Sequence, residues 1–184
     1  MTPDHDAPET IAWQGKWITA KQRGRWEYVS RARSIRAAVI LAIDAGHVLL
    51  VEQYRVPMGR LSIELPAGLI GDSASVEGED ALVAAARELE EETGYRAAEM
   101  IDAGEFHSSP GMVSESFTLV IARGLEKIGA GGGTESEDIT VHRIRVEDVP
   151  AFVAEQRTAG KGIDVKLLLL LSPGMLAQAA GEVG

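Results

Sequence analysis

An arginine and four glutamates fall within six consecutive residues, Arg87-Glu88-Leu89-Glu90-Glu91-Glu92, and Thr93-Gly94-Tyr95 closes the run. Glu88 and Glu92 are four residues apart, one turn of an α-helix, so on a helix their carboxylates project together. Arg87 and Glu91 have the same spacing and can pair. A solvated, salt-bridged helix face is what most charge runs are. Here the like charges of Glu88, Glu91 and Glu92 repel, and a helix that needed only solubility would mix signs. Clustered carboxylates beside an apolar stripe suit a hard divalent cation such as Mg2+.

The element that must position these groups is a helix over Glu79 to Tyr95. Ala81, Leu82, Val83, Ala84, Ala85 and Ala86 are mostly good helix formers, and Gly94 is placed to end the helix as a C-cap. Leu82, Ala86, Leu89 and Thr93 recur at three- and four-residue spacing and predict its buried stripe.

The run Arg87-Glu88-Leu89-x-Glu91-Glu92-x-Gly94-Tyr95, with Glu79 eight residues before Arg87, resembles the Nudix box. The match from Glu79 to Tyr95 is complete. It departs at the opening glycine: the pattern wants glycine where the chain has Ser73, and Gly68, in Glu64-Leu65-Pro66-Ala67-Gly68-Leu69-Ile70, is the better candidate. The loop from Gly68 to Glu79 is then ten residues long instead of five. Its extra residues, around Asp72-Ser73-Ala74-Ser75-Val76, are mostly small and polar, as in a tolerated surface insertion.

The chain has 184 residues, 45% of them hydrophobic and 25% charged, which suits one domain with a real core. Its net charge of −10 argues against nucleic acid or an anionic membrane as partner, but not against an anionic small molecule met by bound cations and local arginines. There are no cysteines, which excludes disulfides, thiolate zinc sites and thiol nucleophiles. The first ten residues are acidic and polar, unlike a signal peptide, and the longest fully apolar run, Ala37 to Ile43, is too short to span a bilayer, so the cytoplasm is the expected compartment.

Residues 1–10 read as disordered. Residues 11–36 read as a hairpin, with strands at Trp17–Ala20 and Trp26–Val29 and a turn near Gly24; Arg31, Arg33 and Arg36 mark it as either a solvated appendage or a dimerisation element that donates arginines. Residues 37–173 form the main domain: strands at Ala37–Ile43, Val48–Arg55 and Leu61–Leu65, the acidic helix, strands at Phe117–Ala122 and Ile139–Ile144, a helix at Val146–Thr158 and a last helix from Asp164, closed near Pro173. Gly129–Gly133 reads as a flexible turn, and residues 174–184 as a small-residue tail. This order predicts an α/β chain with a mixed sheet between helices. The resemblance sharpens that to a Nudix α/β/α sandwich with a small N-terminal β-hairpin extension.

The resemblance also implies roles. Glu88 and Glu92 become metal ligands with the backbone carbonyl of Ala67, and Glu91 a further ligand or helper that Arg87 orients. Glu79 supports the loop. Mg2+ is the implied cofactor, with Mn2+ as a substitute. Pro110, sixteen residues after Gly94, together with Gly111, resembles a marker of the ADP-ribose pyrophosphatase subgroup, in which a loop glutamate activates the attacking water; both Glu115 and Glu137 fit that role. Glu52-Gln53-Tyr54-Arg55, followed by Glu64, and Glu135-Ser136-Glu137-Asp138 look like the same subgroup. Arg55 then faces the phosphates, or is only an ion pair with Glu52 or Glu64. Trp26 and Tyr28 are the aromatic platform for a base, contributed with Arg31, Arg33 or Arg36 across a homodimer, or else pack the hairpin on the core. Hydrolysis of a nucleotide sugar is implied, ADP-ribose first and GDP-mannose second, with a non-catalytic nucleotide-sugar sensor as the reading of a different class.

Overall fold

The computed structural model describes residues 3–32, 36–70, 80–134 and 137–179. Arg33, Glu79, the Asp72–Val76 loop, Glu135 and Ser136 lie outside the described residues.

The N-terminal part is a three-stranded antiparallel sheet, β1 (Glu9–Gln14), β2 (Ile18–Arg23) and β3 (Trp26–Arg31). The sequence suggests disorder to residue 10 and only two strands. The extra order comes from charge complementarity across the register: Glu9 pairs with Lys21 at 2.9 Å and Arg23 at 3.3 Å, and Asp4 takes a 2.8 Å ion pair from Arg25 at the β2–β3 turn. Polar residues that look solvated one by one are neighbours once the strands align.

The main sheet is built on β4 (Arg36–Asp44). Successive side chains of a strand point to opposite faces. Ala38, Ile40 and Ala42 enter one core and Val39, Leu41 and Ile43 the other, which is why this strand is apolar almost throughout. The turn at Ala45-Gly46 (φ 47° and 72°) returns the chain into β5 (His47–Arg55). There follow β6 (Arg60–Glu64), β7 (Ala67–Ile70), α1 (Ala81–Thr93), β8 (Tyr95–His107), β9 (Ser116–Lys127), β10 (Thr140–Arg145), α2 (Val149–Thr158), β11 (Gly162–Ile163) and α3 (Leu168–Ala179). The strand order is β11-β6-β5-β4-β9-β8, with β10 along β5 and β7 along β4. The β4–β9 and β11–β6 pairs are parallel and the others antiparallel, so the sheet is mixed.

Helix α1 covers one face through Ala84, Ala85 and Leu89, and α2 and α3 cover the other through Val149, Val153 and Leu171, giving an α/β/α sandwich. Ala38, Ala42, Ala84, Ala85 and Ala122 are wholly buried, and these small residues let α1 lie close to the sheet. The buried stripe of α1 is rotated from the one the spacing suggests: Ala84, Ala85, Leu89, Glu92 and Thr93 are buried, while Leu82 and Ala86 are half-buried. Apolar spacing alone could not place Glu92 inside.

The last helix does not stop at Pro173 but runs on to Ala179, into the stretch the sequence suggests is a tail. A proline there removes the N–H that would bond Leu169 O, and the Ser172 hydroxyl donates to that carbonyl instead, at 3.2 Å. Among the described residues no helix is long and apolar enough to cross a membrane.

Candidate active site

The N-cap of α1 is Asp80, whose carboxylate accepts from the Leu82 N–H at 2.9 Å. Its C-cap is Gly94 in the left-handed conformation (φ 71°), as the sequence suggests. This fixes the helical phase, so Glu88 and Glu92 face the start of β7 at Ala67-Gly68. The Ala67 N–H donates to Glu92 Oε2 at 3.0 Å. A Cβ on Gly68 would lie 1.9 Å from the Glu88 carboxyl carbon, so the glycine is the space in which Glu88 rests.

Glu92 is taken out of water and Glu88 partly so. Glu92 is 3% exposed; burial, then repulsion from Glu88 and Glu137, push its carboxyl up to about 8 against the pull of the Ala67 N–H. Burial likewise raises Glu88, opposed by the Arg87 guanidinium. Arg87 Nη1 donates to Glu88 at 2.8 Å and to Glu91 at 3.3 Å, so it restrains both neighbours and not Glu91 alone.

These residues line a cleft of about 380 Å³ that also takes in Arg31, Gln53, Arg55, Glu64, Ser108, Glu115, Phe117, Glu137 and Lys166. Arg55 Nε and Nη2 form a fork on Glu64 at 2.8 and 2.7 Å. The fork holds Glu64 ionised and its carboxyl below the usual range despite burial. Glu52 is instead held by His142 and Lys161, each at 2.8 Å, so Arg55 is partnered by Glu64 and open to the cleft at once.

The two candidate bases are held differently. Glu115 is ion-paired by Arg31, next to a 2.8 Å bond between the Ser30 and Ser114 hydroxyls. Glu137 accepts from the Thr134 N–H and hydroxyl through one oxygen, Oε2, at 2.9 and 3.0 Å, and its charge is felt by both Glu88 and Glu92. The Gly129–Gly133 run before it is not a free turn; it lies along the C-terminal end of α1.

Other expected site residues lie elsewhere. Trp26, Tyr28, Pro110 and Gly111 line a separate pocket of about 250 Å³, where β3 meets the 109–115 loop. Arg36 lines a third pocket that shares Arg31 and Glu115 with the cleft. Arg87 and Glu91 flank the cleft on α1 without lining it. Sequence reasoning missed Lys166, Ser108 and Phe117. Lys166 comes from the turn before α3, with Nζ 2.7 Å from Asp164, and nothing in its local pattern ties it to residues 88 and 92. Phe117 pairs with Phe106 across β8 and β9, ring centroids 6.0 Å apart, at the edge of an apolar groove of about 330 Å³ that adjoins the cleft.

The donors present fit a hard cation. The Glu88 and Glu92 carboxylates, both disfavoured as charged groups by burial, converge on one backbone segment, and a Cβ at Gly68 would fill the space beside Glu88. Among the described residues no three acidic, histidine or cysteine side chains gather tightly enough to hold a metal alone.

A family profile described as NUDIX domain matches residues 32–162. A methanol dehydrogenase activator from Bacillus methanolicus is 36% identical over 121 residues, 65% of this chain and 63% of the relative. An ADP-ribose pyrophosphatase from Bacillus subtilis is 34% identical over 117 residues, 63% of this chain and 60% of the relative. A GDP-mannose pyrophosphatase from an Enterobacter species is 36% identical over 133 residues, 67% and 64% of the two chains. These matches span less than two thirds of each relative's length. A crystal structure of an ADP compounds hydrolase superposes with a TM-score of 0.66 over 96% of this chain and 95% of that one, at 22% identity, a likeness of fold.

Proposed function

Because this chain belongs to the Nudix family, we propose that its acidic cleft hydrolyses the diphosphate linkage of a nucleoside diphosphate sugar, with ADP-ribose as preferred substrate and AMP and ribose 5-phosphate as products. One observation carries the reading: the desolvated pair Glu88 and Glu92 opens into the same cleft as the cations Arg55 and Lys166. A P–O–P bridge is protected by its own negative charge, so hydrolysis needs cations on the phosphate oxygens and a base for the water. Glu88, Glu92 and the Ala67 carbonyl would hold Mg2+, or Mn2+ in its place, which when bound would supply Lewis-acid charge neutralisation there.

The chain's own residues do the rest. Arg55, its plane locked by Glu64, presents Nη1 to a phosphate oxygen. Glu137 takes the proton of the attacking water, because Oε1 has no partner among the described residues and the charge of Glu115 is already matched by Arg31. Arg87 holds Glu88 and Glu91 in register. A homodimer belongs to the proposal: β1 is exposed along its whole length and offers Ile11 and Trp13, and a second copy would bring Trp26, Tyr28, Arg36, Pro110 and Gly111 toward a site.

Resemblance to ADP-ribose and GDP-mannose pyrophosphatases supports the substrate class, and resemblance to a methanol dehydrogenase activator favours a second reading as a nucleotide-dependent regulator. Product analysis of parallel incubations with ADP-ribose and GDP-mannose separates these. AMP released faster than GMP supports the first reading; GMP released faster moves the substrate and keeps the chemistry. Nucleotide-sugar binding without turnover favours the regulator.

A further inference from the structure

The last four carbonyls of an α-helix have no partner within the helix. In α1 each of them finds one. Glu90 O accepts from the Gly94 N–H at 2.9 Å, Glu91 O from the Gly133 N–H at 3.0 Å, and Glu92 O from the Gly132 N–H at 2.8 Å. Thr93 O accepts from Lys127 Nζ at 3.2 Å, a cation placed at the negative end of the helix dipole. The Gly94 carbonyl continues the contact, taking the N–H groups of Ile128 and Gly129 at 2.8 and 3.0 Å. The approach is so close that side chains are excluded. A Cβ on Gly131 would stand 2.4 Å from the Thr93 carbonyl carbon, and one on Gly94 2.3 Å from Gly129 O. Gly131, Gly132 and Gly133 have φ of 71°, 108° and 80°, which favours glycine at all three. On the far side the Ile139 N–H returns to Gly132 O at 3.3 Å, the Ile139 side chain is buried, and the Glu137 N–H donates to Thr134 O at 2.9 Å.

We infer that Gly131–Gly133 is a backbone clamp on the metal-binding helix, with Gly131, Gly132 and Gly133 as positioning residues that set the distance from Glu137 to Glu88 and Glu92. The inference rests on the reading of Glu137 as base. The bonds fall on the carbonyls of Glu91 and Glu92, so a metal ligand and the base are tied through two hydrogen bonds in the last turn of one helix. A catalytic group displaced by about an ångström loses rate steeply. The clamp holds that distance without occupying either side chain.

Two measurements test this, one independent of turnover. In amide hydrogen exchange on the whole protein, the Gly132 and Gly133 N–H groups exchange as slowly as that of Gly94, and Gly131→Ala releases both together. Exchange of Gly132 and Gly133 at free-loop rates in the parent overturns the clamp, whatever the enzyme does. In kinetics with ADP-ribose at saturating Mg2+, Gly131→Ala lowers kcat tenfold or more and changes KM less than twofold. In a Glu137→Gln background it lowers kcat less than twofold further, because it acts through a group already removed. Losses that multiply in the double variant, or a Glu137→Gln protein with the parent's kcat, overturn the positioning role. If Gly131→Ala does not fold, Gly132→Ala serves, since its added Cβ meets no atom nearer than 3.8 Å and only its φ is strained. A parent protein that protects these amides but hydrolyses nothing contradicts the proposed reaction and leaves the clamp standing.

Discussion

A carboxylate that is 3% exposed and keeps one backbone hydrogen bond, as Glu92 does, resists ionisation. Its folded-state pKa of about 8 lies above the reference value of 4.5, so between those values the folded protein binds more protons than the unfolded chain. The stability this group contributes is fully present below pH 4.5 and is lost as pH rises through 8; burial of Glu88 acts in the same direction. Thermal melting of metal-free protein should therefore show a midpoint that falls from pH 5 to pH 8.5, and Glu92→Gln, which keeps an acceptor for the Ala67 N–H, should flatten most of that fall. A binding cation opposes the loss, so Mg2+ should raise the midpoint most at the alkaline end. Gly68 gives a second residue-scale expectation. The atom its Cβ would strike is the end of the Glu88 side chain, which can swing aside, so Gly68→Ala should weaken Mg2+ binding at least tenfold in a titration while shifting the melting midpoint only about 1–3 °C. A fold lost along with the metal would place Gly68 in the architecture instead.

Helix α1 meets the sheet through alanines, and overfilling that contact tests how tightly it is set. Ala85→Leu should cost about 1–3 kcal/mol and lower the melting midpoint by about 3–10 °C; no change would mean α1 rides loosely on β4 and β9. This helix was the most legible element in the sequence. Its good helix formers, the Glu88–Glu92 spacing and a terminal glycine all point one way, and no neighbour overrides them. The clamp was not legible, because it is made of backbone N–H groups, and a glycine run reads as freedom until a carbonyl is found facing it. The inward phase of Glu92 was hidden because a stripe is inferred from apolar residues, and here an acid occupies part of it. Pro173 misled because a serine hydroxyl can stand in for the missing N–H.

Across the whole molecule, two cores on opposite faces of one sheet hold a cleft that none of its segments could form alone. Glu88 and Glu92 come from α1, Arg55 from β5, Ala67 and Gly68 from β7, Lys166 from the turn before α3, and Arg31 from the N-terminal sheet. The layers could be anticipated, since β4 is apolar on both faces, but sequence distance hid Lys166 and the Phe106–Phe117 pair. The N-terminal sheet is joined to the domain by the Val29 N–H on Met112 O and the Ser114 N–H on Val29 O, each at 3.0 Å, so the strand that carries Arg31 is bonded directly to the 109–115 loop. The central claim is that the Glu88 and Glu92 carboxylates on α1 serve a cation-dependent hydrolysis. It is tested most directly by the rate of AMP release from ADP-ribose by the full chain across a Mg2+ titration, beside Glu92→Gln. The account predicts no turnover without Mg2+, saturable turnover with it, and a loss of about a hundredfold or more in the variant, whose metal-free melting midpoint stays at or above the parent's at pH 8. Equal turnover by both proteins, or turnover that ignores the metal, would contradict it.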